Sequence, residues 1–244
     1  MMYLVAAAVR RSADKLPDEP ARLRRDFRRF NLPVQLALAA ATDVVAAAEQ
    51  PVSMAVVSLA PCQNGSPELY RWAEAAIAAG SAGRFGSARM NPTHTLHVID
   101  NLALSAFAIA YRSDGYCVGV GGAPGQAWCA IEILRERLET GREREGLLMA
   151  GDQARAADAT GSRGVALLFS VARRPYAALG CSVELVAVSH RRRPTPRPVV
   201  AHAAAGLCDL LDALARHGTG DLAYDVPAEQ TDGLDHVTVT LRVA

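Results

Sequence analysis

The sequence predicts an α/β fold, on three observations. Apolar runs of strand length alternate with longer alanine-rich or amphipathic stretches along the whole chain. Near the middle, an apolar run from Tyr116 to Val120 meets a glycine-rich turn (Gly121, Gly122, Ala123, Pro124, Gly125), and a helical stretch then starts at Gln126. Half of the 244 residues are hydrophobic against 21% charged, a balance that lets one chain of this length bury a sizeable core. The spacer segments are too short to force a boundary, so residues 1–244 are expected to form a single domain.

Tyr3 to Val9 reads as a buried strand, and Arg22 to Phe30 as a basic segment. Val34 to Ala48 has helical periodicity, with Pro33 suited to a first turn. Val52 to Leu59 is a second buried strand, and Glu68 to Ala79 a helix. Asn91-Pro92-Thr93 punctuates the start of the next helix, which runs to Arg112 with Thr93 in capping position. The strand Tyr116 to Val120 and the helix Gln126 to Leu138 follow, then a strand Gly146 to Ala150 that ends at Asp152. Gln153 to Arg163 is a small-residue polar loop. Val165 to Arg173 and Ser182 to His190 read as a strand pair. The run His190 to Pro198 is basic and proline-rich, so it reads as a loop. A helix from Val199 to Arg216 and a closing strand from His236 to Val243 complete the chain.

Formal net charge is +1, so no global field favours nucleic acid or an anionic membrane. The five cysteines (Cys62, Cys117, Cys129, Cys181, Cys208) are scattered, with no CxxC pair. They read as reduced and mostly buried, as in a cytoplasmic protein. No apolar run reaches bilayer-spanning length, and the first arginines follow the N-terminal apolar run rather than precede it.

Strand, sharp turn and helix together lift one residue to a helix N-terminus, where free N–H groups stabilise an anion or a thiolate. Here the layout resembles the nucleophile turn of β-ketoacyl synthases. Other stretches are similar to that family in the same order: YLVAAAV to its opening strand, RLRRDFRRFNLPVQLALAAA to its basic run and first long helix. NPTHTLHVIDNLA, DGYCVGVGGAPGQAW and GLLMAGDQ follow. Taken together they resemble the stand-alone ketosynthase-like N-terminal family of type II polyketide, fatty-acid and aryl polyene pathways, which includes chain-length-factor-like proteins. The likeness covers roughly residues 1–170 and leaves 171–244 divergent.

That resemblance implies a thiolase-like layered α-β-α core, truncated relative to a full ketosynthase. It also puts Pro124 at the position of the nucleophilic cysteine when Asn101 and Gly115 are laid on the family pattern. Proline carries no nucleophilic atom, so the implied role is auxiliary and non-condensing. The implied partners are a second copy, an active ketosynthase, or an acyl carrier protein, with neither nucleic acid nor membrane involved. By the same resemblance the dimer interface is the strand Tyr116, Cys117, Val118, Gly119 and Val120, flanked by the helix from Thr93 to Arg112. Two arginine clusters, Arg24, Arg25 and Arg28 together with Arg191, Arg192 and Arg193, suit docking of an acidic carrier. Their simpler reading is a solvated surface, with Asp18, Glu19 and Asp26 nearby.

Other constellations are weaker. His94, His97 and Asp100 share a helical face at i, i+3 and i+6, but no third or fourth metal ligand accompanies them. Cys62 follows Pro61 at a strand end, where reactive groups of α/β sheets collect. Cys62, His94 and His97 therefore define a competing reading, an acyl-thioester hydrolase or acyltransferase. Cys129 is expected buried between helix and sheet, and Cys117 to be a small core residue. Gly119 to Gly125 invites a dinucleotide-binding reading, but Pro124 stands where GxGxxG needs glycine, and no cofactor is implied. His217-Gly218-Thr219-Gly220 is similar to the family's first histidine motif, yet it follows a helix instead of a strand. It reads as a helix C-terminus, with His217 in the last turn and Gly218 as the left-handed cap.

Overall fold

The computed structural model describes residues 1–12, 23, 27–49, 51, 53–60, 74, 77, 101–121, 126–152, 161–191, 203–227 and 236–244. Strands β1 (Met2–Arg11), β2 (Ala55–Leu59), β3 (Cys117–Val120), β4 (Glu145–Asp152), β5 (Arg163–Ser170), β6 (Val183–Arg191), β7 (Gly220–Pro227) and β8 (His236–Val243) form one sheet. Its order is β3-β2-β4-β5-β1-β6-β8-β7. β3, β2 and β4 run parallel, and every later pairing is antiparallel.

Helices cover both faces, giving the expected layered α-β-α core. α1 (Leu32–Val45) and α2 (Leu102–Tyr111) pack with Phe107, Leu147 and Met149 on one side. α3 (Gln126–Glu139) and α4 (Ala203–Arg216) pack with Trp128, Leu148 and Leu167 on the other. Strand residues alternate between faces, so a strand covered on both sides must be apolar throughout. β4 is buried along its full length, Glu145 and Asp152 included.

α1 forms where the alanine-rich periodicity places it. The Asn31 side chain caps it by accepting from Val34 N at 3.2 Å, and Pro33 occupies the first turn. The helix lies directly on the sheet at two glycines that are register partners across β4 and β5, Gly151 and Gly164. An ideal Cβ on Gly151 would stand 2.2 Å from Pro33 O, and one on Gly164 2.2 Å from the Leu36 carbonyl carbon. Tyr111 OH donates to Thr42 Oγ1 at 3.0 Å and ties α2 to α1.

Several expectations need correction. α2 begins at Leu102, with Asn101 non-helical ahead of it (φ −97°, ψ 19°), so no continuous helix from Thr93 to Arg112 passes through this point. Arg112, in the left-handed region at φ 52°, ends it. β5 and β6 are not neighbours, because β1 inserts between them and takes the central hydrogen-bonding position. His190 and Arg191 continue β6 through pairing with β8 and do not open the loop. β7 was not anticipated, although Leu222, Tyr224 and Val226 alternate with Asp221, Ala223 and Asp225 at the strand period. The helix expected from Glu68 to Ala79 lies largely outside the described residues, with Glu74 and Ile77 both helical.

Candidate functional site

The parallel strands β2, β3 and β4 end on one rim, where ligands of α/β sheets collect. β3 stops at Val120 and α3 starts at Gln126, so the connection consists of Gly121, Gly122, Ala123, Pro124 and Gly125. None of these five side chains has a nucleophilic atom. At Gly121 the Gln126 side-chain amide packs over the backbone, and a Cβ there would lie 2.5 Å from its Oε1 until that side chain turned aside. Pro124 itself, with residues 122–125, lies outside the described residues, as do Cys62, His94, His97 and Asp100. Of the six docking arginines, Arg24, Arg25, Arg192 and Arg193 are also outside. Arg28 is exposed in a short 3₁₀ turn (Phe27–Arg29), and Arg191 ends β6 opposite His236.

Among the described residues β3 is an edge strand, with β2 on one side only. Val56 N donates to Tyr116 O at 2.7 Å, and Ala60 N to Val120 O at 2.9 Å. Alternation then turns the N–H and C=O groups of Cys117 and Gly119 away from the sheet. Gly119 lets the strand approach α2, because its Cβ would sit 3.2 Å from Asn101 Cβ. Tyr116 is pinned from the other face by the Arg137 guanidinium, 4.2 Å from the ring centroid.

The described cysteines are all free. Cys117 is exposed, with Sγ 3.7 Å from Ser113 Oγ, and so is not the core residue expected. Cys129 is also exposed, because the buried stripe of α3 runs through Ala127, Trp128, Ile131, Leu134 and Leu138 and leaves position 129 off it. Partial desolvation and Glu132 push its thiol up, opposite to the activation a nucleophile needs. Cys208 is buried, and desolvation pushes its thiol up to about 12. His217 follows α4, its N–H bonded to Leu214 O at 3.1 Å, which agrees with a helix end. The left-handed glycine is Gly220 (φ 110°) at the start of β7 and not Gly218. Among the described residues, no group of three or more His, Cys, Asp or Glu side chains could hold a metal. None of the described helices is long and apolar enough to cross a membrane.

Asp152, read from sequence only as the acid at a strand end, is the most buried titratable group of this rim. Its Oδ2 accepts from Ala205 N at 3.0 Å in the first turn of α4, locking that helix to β4. Oδ1 is buried without a hydrogen-bond partner. Desolvation raises its pKa from 3.8 to about 6, against lowering by the Ala205 and Ala204 amides and Arg163. A carboxyl raised in the folded state binds more protons folded than unfolded across that window. Its contribution therefore falls as pH rises from about 4 to about 6, and the buried charge is a full penalty above that. Asp152→Asn keeps an acceptor for Ala205 N and removes the charge. The variant is expected to gain up to about 3 kcal/mol over wild type at neutral pH, and nothing at about pH 4. Urea unfolding midpoints at the two pH values check this; equal gains at both would refute it.

No family model and no curated protein matches the sequence. Solved structures match its fold. A chain of the ketosynthase ApeO–chain length factor ApeC complex from Xenorhabdus doucetiae superposes with a TM-score of 0.57 at 12% identity, over 94% of this chain and 83% of that one. A chain of a type II polyketide acyl-carrier protein complex with its hexaketide-bound ketosynthase gives 0.61 at 10% identity, over 96% and 87%. The ishigamide ketosynthase/chain length factor gives 0.51 at 18%, over 84% of this chain and 59% of that chain. The fold is thiolase-like. β3 and α3 carry the strand and helix residues that the sequence likeness singled out, whereas Asp152 and its hold on α4 carried no recognisable signal beyond an acid at a strand end.

Proposed function

We propose that this chain is a non-condensing, ketosynthase-like partner subunit in type II acyl-chain assembly, of polyketide, fatty-acid or aryl polyene kind. The observation that carries the reading is the connection between β3 and α3, five residues long and devoid of a nucleophile. A short connection into a helix is where an acyl-carrying nucleophile would be activated, and a proline there can neither attack a thioester nor hold an acyl group. Two of the structures of like fold are described as ketosynthases with their chain length factors, and a third as a ketosynthase with its carrier protein. These descriptions support a role beside a ketosynthase.

A partner is also supported by surface chemistry. Among the described residues the outer edge of β3 has no strand beside it, and its outward backbone groups at Cys117 and Gly119 are of the kind natural proteins pair or cover. Beside it, α2 (LALSAFAIAY) is apolar but for Ser105 and the Tyr111 hydroxyl, and Ile109 on its outer face is 78% exposed. An apolar helix flanking an open edge fits a two-strand junction with a ketosynthase or with a second copy, through Tyr116 to Val120. Arg24, Arg25, Arg28, Arg191, Arg192 and Arg193 are assigned to steering an acidic carrier.

Cys117→Pro tests the edge. Its N–H points away from the sheet, so proline is tolerated within the subunit but blocks pairing. Light scattering after gel filtration is expected to show wild type as a dimer, alone or with a co-expressed ketosynthase, and the variant as a monomer of unchanged circular dichroism. A monomeric wild type in both preparations at about 10 µM sinks the interface. Incubation with an acyl thioester is expected to leave the intact mass unchanged; an acyl adduct on Cys62 would overturn the non-condensing reading in favour of an acyltransferase.

A further inference from the structure

At the opposite rim from the β3–α3 turn, a cavity of about 140 Å³ opens between the N-terminal end of β4 and the segment leading into β2. Glu49, Ser53, Met54, Arg142, Glu143, Arg144 and Glu145 line it. Its wall is set by the way α3 ends. Gly141, at φ 71°, takes the left-handed position after the helix. Gly141 N bonds Leu138 O at 3.1 Å and Arg142 N bonds Arg137 O at 3.2 Å, the pair of bonds that closes a Schellman terminus.

From Arg142 to Glu145 the residues alternate between exposed and buried. Both buried carboxylates are already engaged. Arg137 Nε donates to Glu143 Oε2 at 2.8 Å, with a second bond from Nη2 to Oε1. Arg174 Nη2 donates to Glu145 Oε1, and Glu49 N to Glu145 Oε2 at 2.8 Å. Glu49 itself lies 3.5 Å from Arg174 Nη1. The exposed alternates, Arg142 and Arg144, have no ion-pair partner among the described residues. Two arginines are thus carried on a segment anchored at both of its acidic positions, and both line the cavity together with Ser53 and the buried Met54.

The geometry points to an oxyanion-binding site whose ligand is a phosphate group, free or as the terminus of a small phosphomonoester. Guanidinium forks match the oxygens of a tetrahedral dianion, and preorganisation limits the entropy lost on binding. The volume is near that of an engineered cavity of about 150 Å³ that takes a benzene-sized guest, enough for a phosphate group. The site is independent of the acyl-assembly role proposed above, since it uses none of the β3 edge or the following turn.

Isothermal titration with inorganic phosphate, and separately with glycerol phosphate, tests it on the full chain. Binding is expected at millimolar Kd or tighter, weakened about tenfold by Arg142→Ala and by Arg144→Ala, with thermal unfolding unchanged in either variant. Arg142→Lys keeps the charge but loses the fork, and is expected to fall between wild type and alanine. Comparable binding of both ligands assigns a phosphomonoester, and binding of inorganic phosphate alone assigns the free ion; each outcome supports the site. Binding of neither ligand, or binding that survives the double substitution R142A/R144A, overturns it.

Discussion

Gly164→Ala is expected to lose about 3 kcal/mol or more, and Gly164→Val to fail to fold. At Gly164 the first atom of any side chain would stand 2.2 Å from the Leu36 carbonyl carbon and 2.4 Å from Ala37 N, both main-chain atoms in the middle of α1. A flexible neighbour could turn aside, but a helix backbone can only be lifted as a body. Lifting α1 uncovers Leu36, Leu38, Val34 and Val44, each 2% exposed or less. Each such side chain contributes about 1.5–3 kcal/mol through burial, so complete loss of the helix is comparable to the whole stability of an ordinary domain. Gly151, its register partner, meets Pro33 O at 2.2 Å and behaves the same way. Gly180 is the control: its φ is 67° but nothing lies within 4 Å, so alanine there costs only about 1 kcal/mol of backbone strain. Urea denaturation of the three alanine variants separates the effects. A Gly164→Ala midpoint no lower than that of Gly180→Ala would show that α1 does not sit on the sheet as described.

Arg174→Met is expected to cost about 3–5 kcal/mol. Glu145, 3% exposed, lies under the α1–β2 connection, and Arg174 is its cationic partner. The same guanidinium also reaches Ala47 O at 3.3 Å and Glu49 Oε1 at 3.5 Å, so one side chain ties three segments together. Removing it leaves a buried carboxylate with only the Glu49 amide to meet it. The double variant Glu145→Gln/Arg174→Met removes the charge with its partner and is expected to recover most of the loss, because the penalty lies in the unpaired charge and not in a missing attraction. High salt should change the wild type little, since buried pairs are weakly screened. Additive losses in the double variant would contradict the assignment.

How far the sequence could be read follows from the range of the forces involved. Strands β1, β2, β4 and β8 and helices α1 and α3 were legible within a few residues, because apolar period, a capping Asn31 and a first-turn Pro33 are local signals. The β3–α3 connection was legible for the same reason. Its five residues, and the lack of a nucleophile among them, are properties of the chain itself. Cys129 was misplaced because one residue of helical phase moves a side chain by 100°, from the sheet to the surface. Adjacency in sequence, the usual guide to adjacency in a sheet, pairs β5 with β6, and β1 overrules it here.

The sequence by itself determined that this is an α/β chain in which a strand and a helix are joined by five residues, Gly121 to Gly125, without a nucleophilic side chain. Only the tertiary structure decided that this strand is an edge among the described residues, that Asp152 holds α4, that Glu145 is answered by Arg174, and that two glycines face α1. Each of these joins residues distant in the chain, and no periodicity or local propensity records which distant partner an acid, an arginine or a bare glycine will meet.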